Sequence, residues 1–137
     1  MWIYNDKEFT SDMIEDYHGF VYEITDLHNN KKYIGKKNFW KKVTKPPLKG
    51  KKNKRRSVKE SDWQNYYGSN KEVKTLVEEF GGERFKRTIL RLCVSSGQLN
   101  YFEMKEQVDK DVLFKPDEYY NAFIGGKIHR SHVIKKK

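Results

Sequence analysis

Gly19-Phe20-Val21-Tyr22-Glu23-Ile24-Thr25, then Asp26-Leu27-His28-Asn29-Asn30, then Lys31-Lys32-Tyr33-Ile34-Gly35 are the three runs that decide the fold. The first is rich in aromatic and β-branched residues, which suit a pleated, half-buried surface. The second is turn chemistry, because Asn and Asp tolerate left-handed backbone and hydrogen-bond their own chain. The third resumes strand composition through Ile34. Together they predict a β-hairpin with Tyr22 and Tyr33 on neighbouring strands.

Working outward, Phe85 to Cys93 alternates and is predicted as a third strand. Ser69-Asn70-Lys71-Glu72 has the form of a capping box. Val73, Leu76, Val77 and Phe80 follow at helical spacing, and Gly81-Gly82 ends that helix. A second helix is predicted from Gln98 to Leu113, stopped before Pro116. Upstream, Trp2-Ile3-Tyr4 reads as a short strand and Thr10 to Tyr17 as a helical turn. Asn38 to Val43 reads as a short helical stretch. Thr44 to Ser57 reads as an inserted loop, since Pro46-Pro47 bars a continuous helix. The order strand, strand, helix, strand, helix predicts an α+β fold with a small three-stranded antiparallel sheet flanked by helices. The expected organisation is a lead-in at 1–18, a folded domain at 19–123 with a basic insertion at about 44–59, and a basic C-terminal tail at 124–137.

The 137 residues fit one domain. The net charge of +10 is concentrated: residues 36–59 hold 12 Lys or Arg and no acid, while the rest has 17 basic against 19 acidic residues. A surface that needs only solubility mixes its signs. Concentrated positive charge points to a polyanion, of which nucleic acid is the usual one. A membrane surface also attracts such a segment, but Pro46, Pro47 and Gly50 prevent an amphipathic helix there. No apolar run approaches the roughly 18 residues of a membrane helix, and no N-terminal block reads as a signal peptide. Cys93 is the single cysteine, so no internal disulfide forms and a reducing, intracellular compartment is expected. It reads as a small core residue.

Phe20-Val21-Tyr22 and Tyr33-Ile34-Gly35 stand 11 residues apart, tyrosine to tyrosine, across the predicted hairpin. The pair resembles the double motif that names the GIY-YIG nuclease family. The first motif reads FVY in place of GIY; the second is unchanged and is followed by Lys36-Lys37. A helix near the C-terminus carries Glu106-Gln107, and Asn121 follows Glu106 by 15 residues, in Tyr119-Tyr120-Asn121. The resemblance covers about residues 19–123. Trp63, Tyr66-Tyr67-Gly68-Ser69 and the basic insertion further resemble small phage-encoded, single-domain members of that family.

The resemblance implies a metal-dependent DNA endonuclease that hydrolyses phosphodiester bonds with one active site per chain. It implies one divalent ion, Mg²⁺ or Mn²⁺, held by Glu106, with Glu103 as the rival ligand. A one-metal site also suits a chain with no HxH or HExxH and no clustered carboxylates of a two-metal nuclease. Tyr22 would be the candidate general base, Tyr33 would position water or phosphate, and Asn121 would brace the site. An unperturbed phenol, with a pKa of about 10, is a poor base. Nearby positive charge is expected to lower it. Tyr66 or Tyr67 would stand where relatives keep a His or Tyr beside the base.

The family arginine is expected soon after the second motif, where this chain has Lys41, Lys42 and Val43. Arg56 is preferred for that role, with Lys42 and Arg55 as alternatives. Lys36, Lys37, Lys41, Lys42, Lys49, Lys51, Lys52, Lys54 and Arg55 are expected to contact DNA. No separate DNA-recognition domain is evident. One site cuts one strand at a time, so double-strand cleavage would require a second event, a dimer or an accessory protein. A phage-encoded member would work in the host cytoplasm, with no membrane partner. Two other readings are a non-catalytic nucleic-acid-binding module on the same scaffold and a basic structural protein of a ribosome or packaged genome. A pure binder would not need Tyr22, Tyr33, Glu106 and Asn121, and these favour the nuclease.

Overall fold

The structure, a computed structural model, describes residues 1–50, 52 and 55–125, with Arg55 and Arg56 described by their backbone. Lys51, Lys54 and the tail beyond Gly125 lie outside the described residues. In chain order the strands are β1 (Trp2–Tyr4), β2 (Lys7–Phe9), β3 (Gly19–Asp26), β4 (Lys32–Asn38), β5 (Trp40–Lys45), β6 (Arg55–Glu60) and β7 (Phe85–Cys93). The α-helices are α1 (Lys71–Phe80) and α2 (Ser96–Asp109). Short 3₁₀ turns stand at Ser11–Met13, Trp63–Asn65, Gly82–Arg84 and Val112–Phe114. No helix among the described residues is long and apolar enough to cross a membrane.

The hairpin forms as β3 and β4, with Tyr22 directly opposite Gly35 and Ile24 opposite Tyr33. β7 pairs antiparallel with the other edge of β3, with a bulge between Val21 and Tyr22. The α+β class holds, but the sheet has five strands, not three, in the order β2-β1-β7-β3-β4. It is mixed rather than antiparallel, because β1 runs parallel to β7. The two additions are the short strand expected at Trp2–Tyr4, which joins the sheet beside β7, and β2, which pairs with it. Trp2 and Phe9 are buried there and pack on Phe20, Phe39 and Trp63, which holds two three-residue strands too short to stand alone.

The basic segment also departs from expectation. Residues 38–43 are not helical and residues 44–57 are not a plain loop. β5 and β6 form a separate two-stranded ribbon with register from Trp40↔Glu60 to Lys45↔Arg55. Trp40, Val43, Thr44 and Val58 are strand formers, and Pro46-Pro47 falls in the connection rather than interrupting a strand. Phe39 anchors the ribbon: it is fully buried, donates its N–H to His18 O at 3.0 Å and accepts from Ser61 N at 2.7 Å.

The sheet sorts its residues with period two. Phe20, Tyr22 and Ile24 face Trp63 and Val73 on the α1 side. Val21, Ile34 and Cys93 face Leu99 and Val112 on the α2 side. Asn70 caps α1, its Oδ1 accepting from Val73 N at 3.0 Å. Ser95 caps α2 in the same way through Gln98 N. α2 stops at Asp109 rather than Leu113, because Asp111 adopts left-handed backbone at φ 52° and the chain tightens into a 3₁₀ turn. Cys93 is fully buried, and burial pushes its thiol up to about 11.

Strand β4 is an edge, and the chain covers it. Lys32 N donates to Glu118 O at 2.9 Å, and Tyr120 N donates to Lys32 O at 2.7 Å. That stitch is locked from below by Asp26, a residue the sequence presents as turn chemistry. Asp26 is buried and accepts from Arg84 Nε at 2.8 Å, Arg84 Nη2 at 2.9 Å and the Tyr120 hydroxyl at 2.7 Å.

Candidate active site

Tyr22 lies on β3 under a surface shared by β4, the start of α1 and α2. Two glycines make room for its ring. A Cβ on Gly35 would collide with the Tyr22 hydroxyl, and one on Gly68, whose φ is +91°, would stand 3.3 Å from it. The glycine of Tyr33-Ile34-Gly35 is therefore required by the tyrosine opposite it. Tyr22 packs against Tyr33 and Tyr66, with ring centroids 6.3 and 5.9 Å away. Its hydroxyl is buried and has no satisfying hydrogen bond among the described residues, although Tyr66 lies at the margin of reach. Burial, then the charges of Tyr66, Tyr33 and Glu103, push its pKa well above the ordinary phenol value. The expected lowering by neighbouring positive charge is thus reversed within the protein itself: the groups that reach Tyr22 are phenols and a carboxyl, not lysines.

Tyr33 is half-buried and faces outward from the same pair of strands. Its hydroxyl lies 3.2 Å from Ser69 Oγ. Burial raises its pKa, the Ser69 bond opposes this, and Glu103 adds to the rise. Tyr33, Ser69, Glu103, Gln107 and Asn121 line one open cleft of about 620 Å³.

The two glutamates of α2 part company. Glu106 points away from this cleft and is held by Arg91 Nε at 3.0 Å and by the Lys110 ammonium. Burial would raise its pKa, but the bonds from Lys110 and Arg91 win and lower it. Glu103 is half-buried in the cleft with no hydrogen bond or ion pair among the described residues; burial raises its pKa, and the charge of Lys36 opposes that. Helical spacing explains the split: Leu99, Glu103 and Gln107 are successive i, i+4 positions on the side facing β4. The 15-residue interval from Glu106 to Asn121 is a chain distance, and the early end of α2 breaks its relation to space.

Asn121 is buried and both ends of its amide bind one residue. Its Oδ1 accepts from Ile34 N at 3.0 Å, and its Nδ2 donates to Ile34 O at 2.8 Å. Gln107 Nε2 donates to the same carbonyl at 2.9 Å. Ile34 is the centre of the second tyrosine motif, so its backbone is clamped from outside the sheet.

Among the basic residues, Lys36 is exposed, bonds to Asn100 Oδ1 and is the cation beside Glu103. Lys37 is tied to Asp62 at 2.7 Å and lies 4.2 Å over the Tyr66 ring. Lys36, Lys37 and Lys41 line a second concavity of about 270 Å³ at the ribbon base. Lys42 sits out on β5, and Lys49 and Lys52 are exposed between β5 and β6. The register sets Arg56 opposite Thr44 and Arg55 opposite Lys45. Tyr67 is engaged elsewhere, under the Arg87 guanidinium at 4.2 Å.

Sequence reasoning did not single out Ser69 or Gln107 as site residues. The signal for Gln107 was present in the Leu99-Glu103-Gln107 stripe. Among the described residues no three His, Cys, Asp or Glu side chains come together. The cleft nevertheless fits a cation held by one carboxylate. Among the described residues Glu103 is unpaired on a polar wall, and the orphaned Tyr22 hydroxyl lies within its electrostatic reach.

The family described as "Putative endonuclease segE, GIY-YIG domain" matches residues 2–124. A relative, "Putative endonuclease segE" of Enterobacteria phage T4, is 33% identical over 125 residues, which is 88% of this chain and 49% of that protein. The chain thus spans about half the length of the curated relative it matches. No solved structure gives a significant match.

Proposed function

Because the chain belongs to the GIY-YIG endonuclease family, in its segE type, we propose that it hydrolyses phosphodiester bonds of DNA in the cleft between β4, α1 and α2. The observation that carries this reading is Glu103: a half-buried carboxylate without a hydrogen-bond or ion-pair partner among the described residues, on a wall shared with Tyr33 and beside Lys36. A carboxylate in that position is costly unless something positive joins it. Glu103 is therefore the proposed ligand of the divalent ion, Mg²⁺ or Mn²⁺, and Glu106 is the structural glutamate. The ion, when bound, supplies positive charge for the phosphate and the leaving oxygen.

The remaining roles fall to the chain's own groups. Tyr33, braced by Ser69, presents its hydroxyl to the cleft and orients water or a phosphate oxygen. Tyr22 is a protonated phenol at neutral pH, because burial disfavours its charge. Its unsatisfied hydroxyl orients the reacting groups by hydrogen bonding, and Tyr22 serves as a base only as the phenolate, which added positive charge nearby favours. Lys36 contacts phosphate as a point charge. Asn121 and Gln107 hold Ile34 and so fix Tyr33 and Gly35 on either side of it.

Supercoiled plasmid incubated with the protein, with Mg²⁺ or Mn²⁺ and then with EDTA, tests the reading. Cleavage should require the ion and should fall at least about a hundredfold in Glu103→Gln. Binding of DNA with no cleavage under either ion would return the chain to the non-catalytic module.

A further inference from the structure

The β5–β6 ribbon carries one feature that folding alone does not explain. Directly opposite residues of an antiparallel pair lie on the same face. The register sets Lys41 opposite Lys59 and Lys45 opposite Arg55. Val43 and Ser57 lie between these two pairs, so one face of the ribbon has cations at both ends and no acid. Like charges set directly opposite destabilise a strand pair. Among the described residues acid offsets them little: Glu60 lies on the other face, within reach of Ser11 Oγ at 2.9 Å, and Asp62, which feels the charge of Lys41, is ion-paired with Lys37 at 2.7 Å. Lys41, Lys45 and Lys59 are all exposed.

The same face leads back to the cleft. Lys41 shares its concavity with Lys36, and Lys36 is the cation beside Glu103. From Lys41 to Lys45 the strand runs outward by about 13 Å. Duplex DNA presents one negative charge per roughly 1.7 Å of its axis, so a row of this length faces several phosphates.

We propose that the Lys41–Lys45–Lys59 face of the β5–β6 ribbon is a rail for the phosphate backbone of duplex DNA, leading it toward the cleft without reading bases. Lys42, on the opposite face with Thr44 and Val58, is not part of it. The proposal rests on the nuclease reading for its direction, but its test does not require cleavage.

The probe is a fluorescent duplex of mixed sequence, bound in EDTA over a range of NaCl. The variant is Lys41→Gln/Lys45→Gln/Lys59→Gln. The control, Lys7→Gln/Lys74→Gln/Lys86→Gln, removes the same charge from exposed sites elsewhere. The rail variant should flatten the plot of log affinity against log salt by about 2–3, and the control by less than about 1. The rail variant should also melt higher than wild type, by roughly 2–5 °C, because it relieves cross-strand repulsion. Equal slopes in the two variants, or a fall in Tm for the rail variant, would overturn the proposal. Wild-type binding with no cleavage in Mg²⁺ would sink the nuclease reading and leave the rail standing. Active wild-type enzyme whose salt slope is unchanged in the rail variant would do the reverse.

Discussion

Asn121 grips Ile34 by both backbone groups, accepting from its N–H at 3.0 Å and donating to its C=O at 2.8 Å. The amide copies what a neighbouring strand would do at that point, on an edge where no strand follows. Asn121→Asp keeps the acceptor but sets a second acceptor against the Ile34 carbonyl. Losing one buried bond and leaving a poor contact should lower stability by about 1–3 kcal/mol in urea unfolding. A wild-type midpoint for Asn121→Asp would mean the clamp contributes nothing.

The two glutamates of α2 should respond to pH with opposite signs. Glu103 has a raised pKa in the folded state, through burial. Its favourable contribution is present below the ordinary glutamate range and is lost as pH rises through the folded value. Glu103→Gln should therefore be more stable than wild type at pH 7 and equal to it in acid. Glu106 has a lowered pKa: its burial is outweighed by the bonds from Lys110 and Arg91. Its contribution is present at neutral pH and lost as pH falls, so Glu106→Gln should be less stable at pH 7, with the gap closing in acid. Thermal melts from pH 3 to 8 read both. Plasmid cleavage should rank the pair the other way: Glu103→Gln inactive, Glu106→Gln active.

That contrast also marks how far the sequence could be read. The hairpin, β7, the α1 cap and the buried Cys93 follow from composition and periodicity, because each is a local pattern meeting one face of a sheet. The tyrosine pair is legible for the same reason: direct opposition on β3 and β4 brings the Tyr22 ring over Gly35. What escaped depends on long-range burial. The strand at Trp2–Tyr4 is legible, but its place beside β7 and the whole of β2 depend on Trp2 and Phe9 meeting the aromatic cluster beyond them. A lysine-rich segment with two prolines shows few strand signals, yet cross-strand register organises it. The face on which Glu103 or Glu106 falls depends on how α2 is rotated, and the sequence offers two apolar arcs there, Leu99, Phe102 and Leu113 against Tyr101, Val108 and Val112, which do not decide it.

Tyr22→Phe should separate stability from activity. The hydroxyl it removes is buried without a satisfying partner among the described residues. Losing an unsatisfied polar atom is neutral or favourable, so the Tm should stay level or rise. If the hydroxyl orients the reacting groups, the cleavage rate should still fall at least about a hundredfold. A variant that cuts at the wild-type rate would leave Tyr22 as a core aromatic and nothing more.

Tyr120 is the last link between the fold and the cleft. Its hydroxyl donates to buried Asp26 at 2.7 Å, and its backbone N–H pairs with Lys32 O just before Asn121 meets Ile34. Burial of Asp26 would raise its pKa, but the bonds from Arg84, Tyr120 and the His28 N–H outweigh that and hold it below the usual aspartate value. A lowered carboxylate pKa gives stability that is present above the ordinary Asp range, about 3.9, and is lost as pH falls. Tyr120→Phe keeps the ring and removes one bond to a charged acceptor. It should cost about 1.5–3 kcal/mol at pH 7, and the deficit should shrink as pH falls below the ordinary Asp range, where the wild type progressively loses the same contribution. Because the 118–121 stitch carries Asn121, amide exchange at Ile34 and Tyr120 should speed up in this variant more than exchange at Tyr22 in the sheet centre. A uniform increase across the sheet would show that Tyr120 supports global stability alone, with no special hold on the segment beside the cleft.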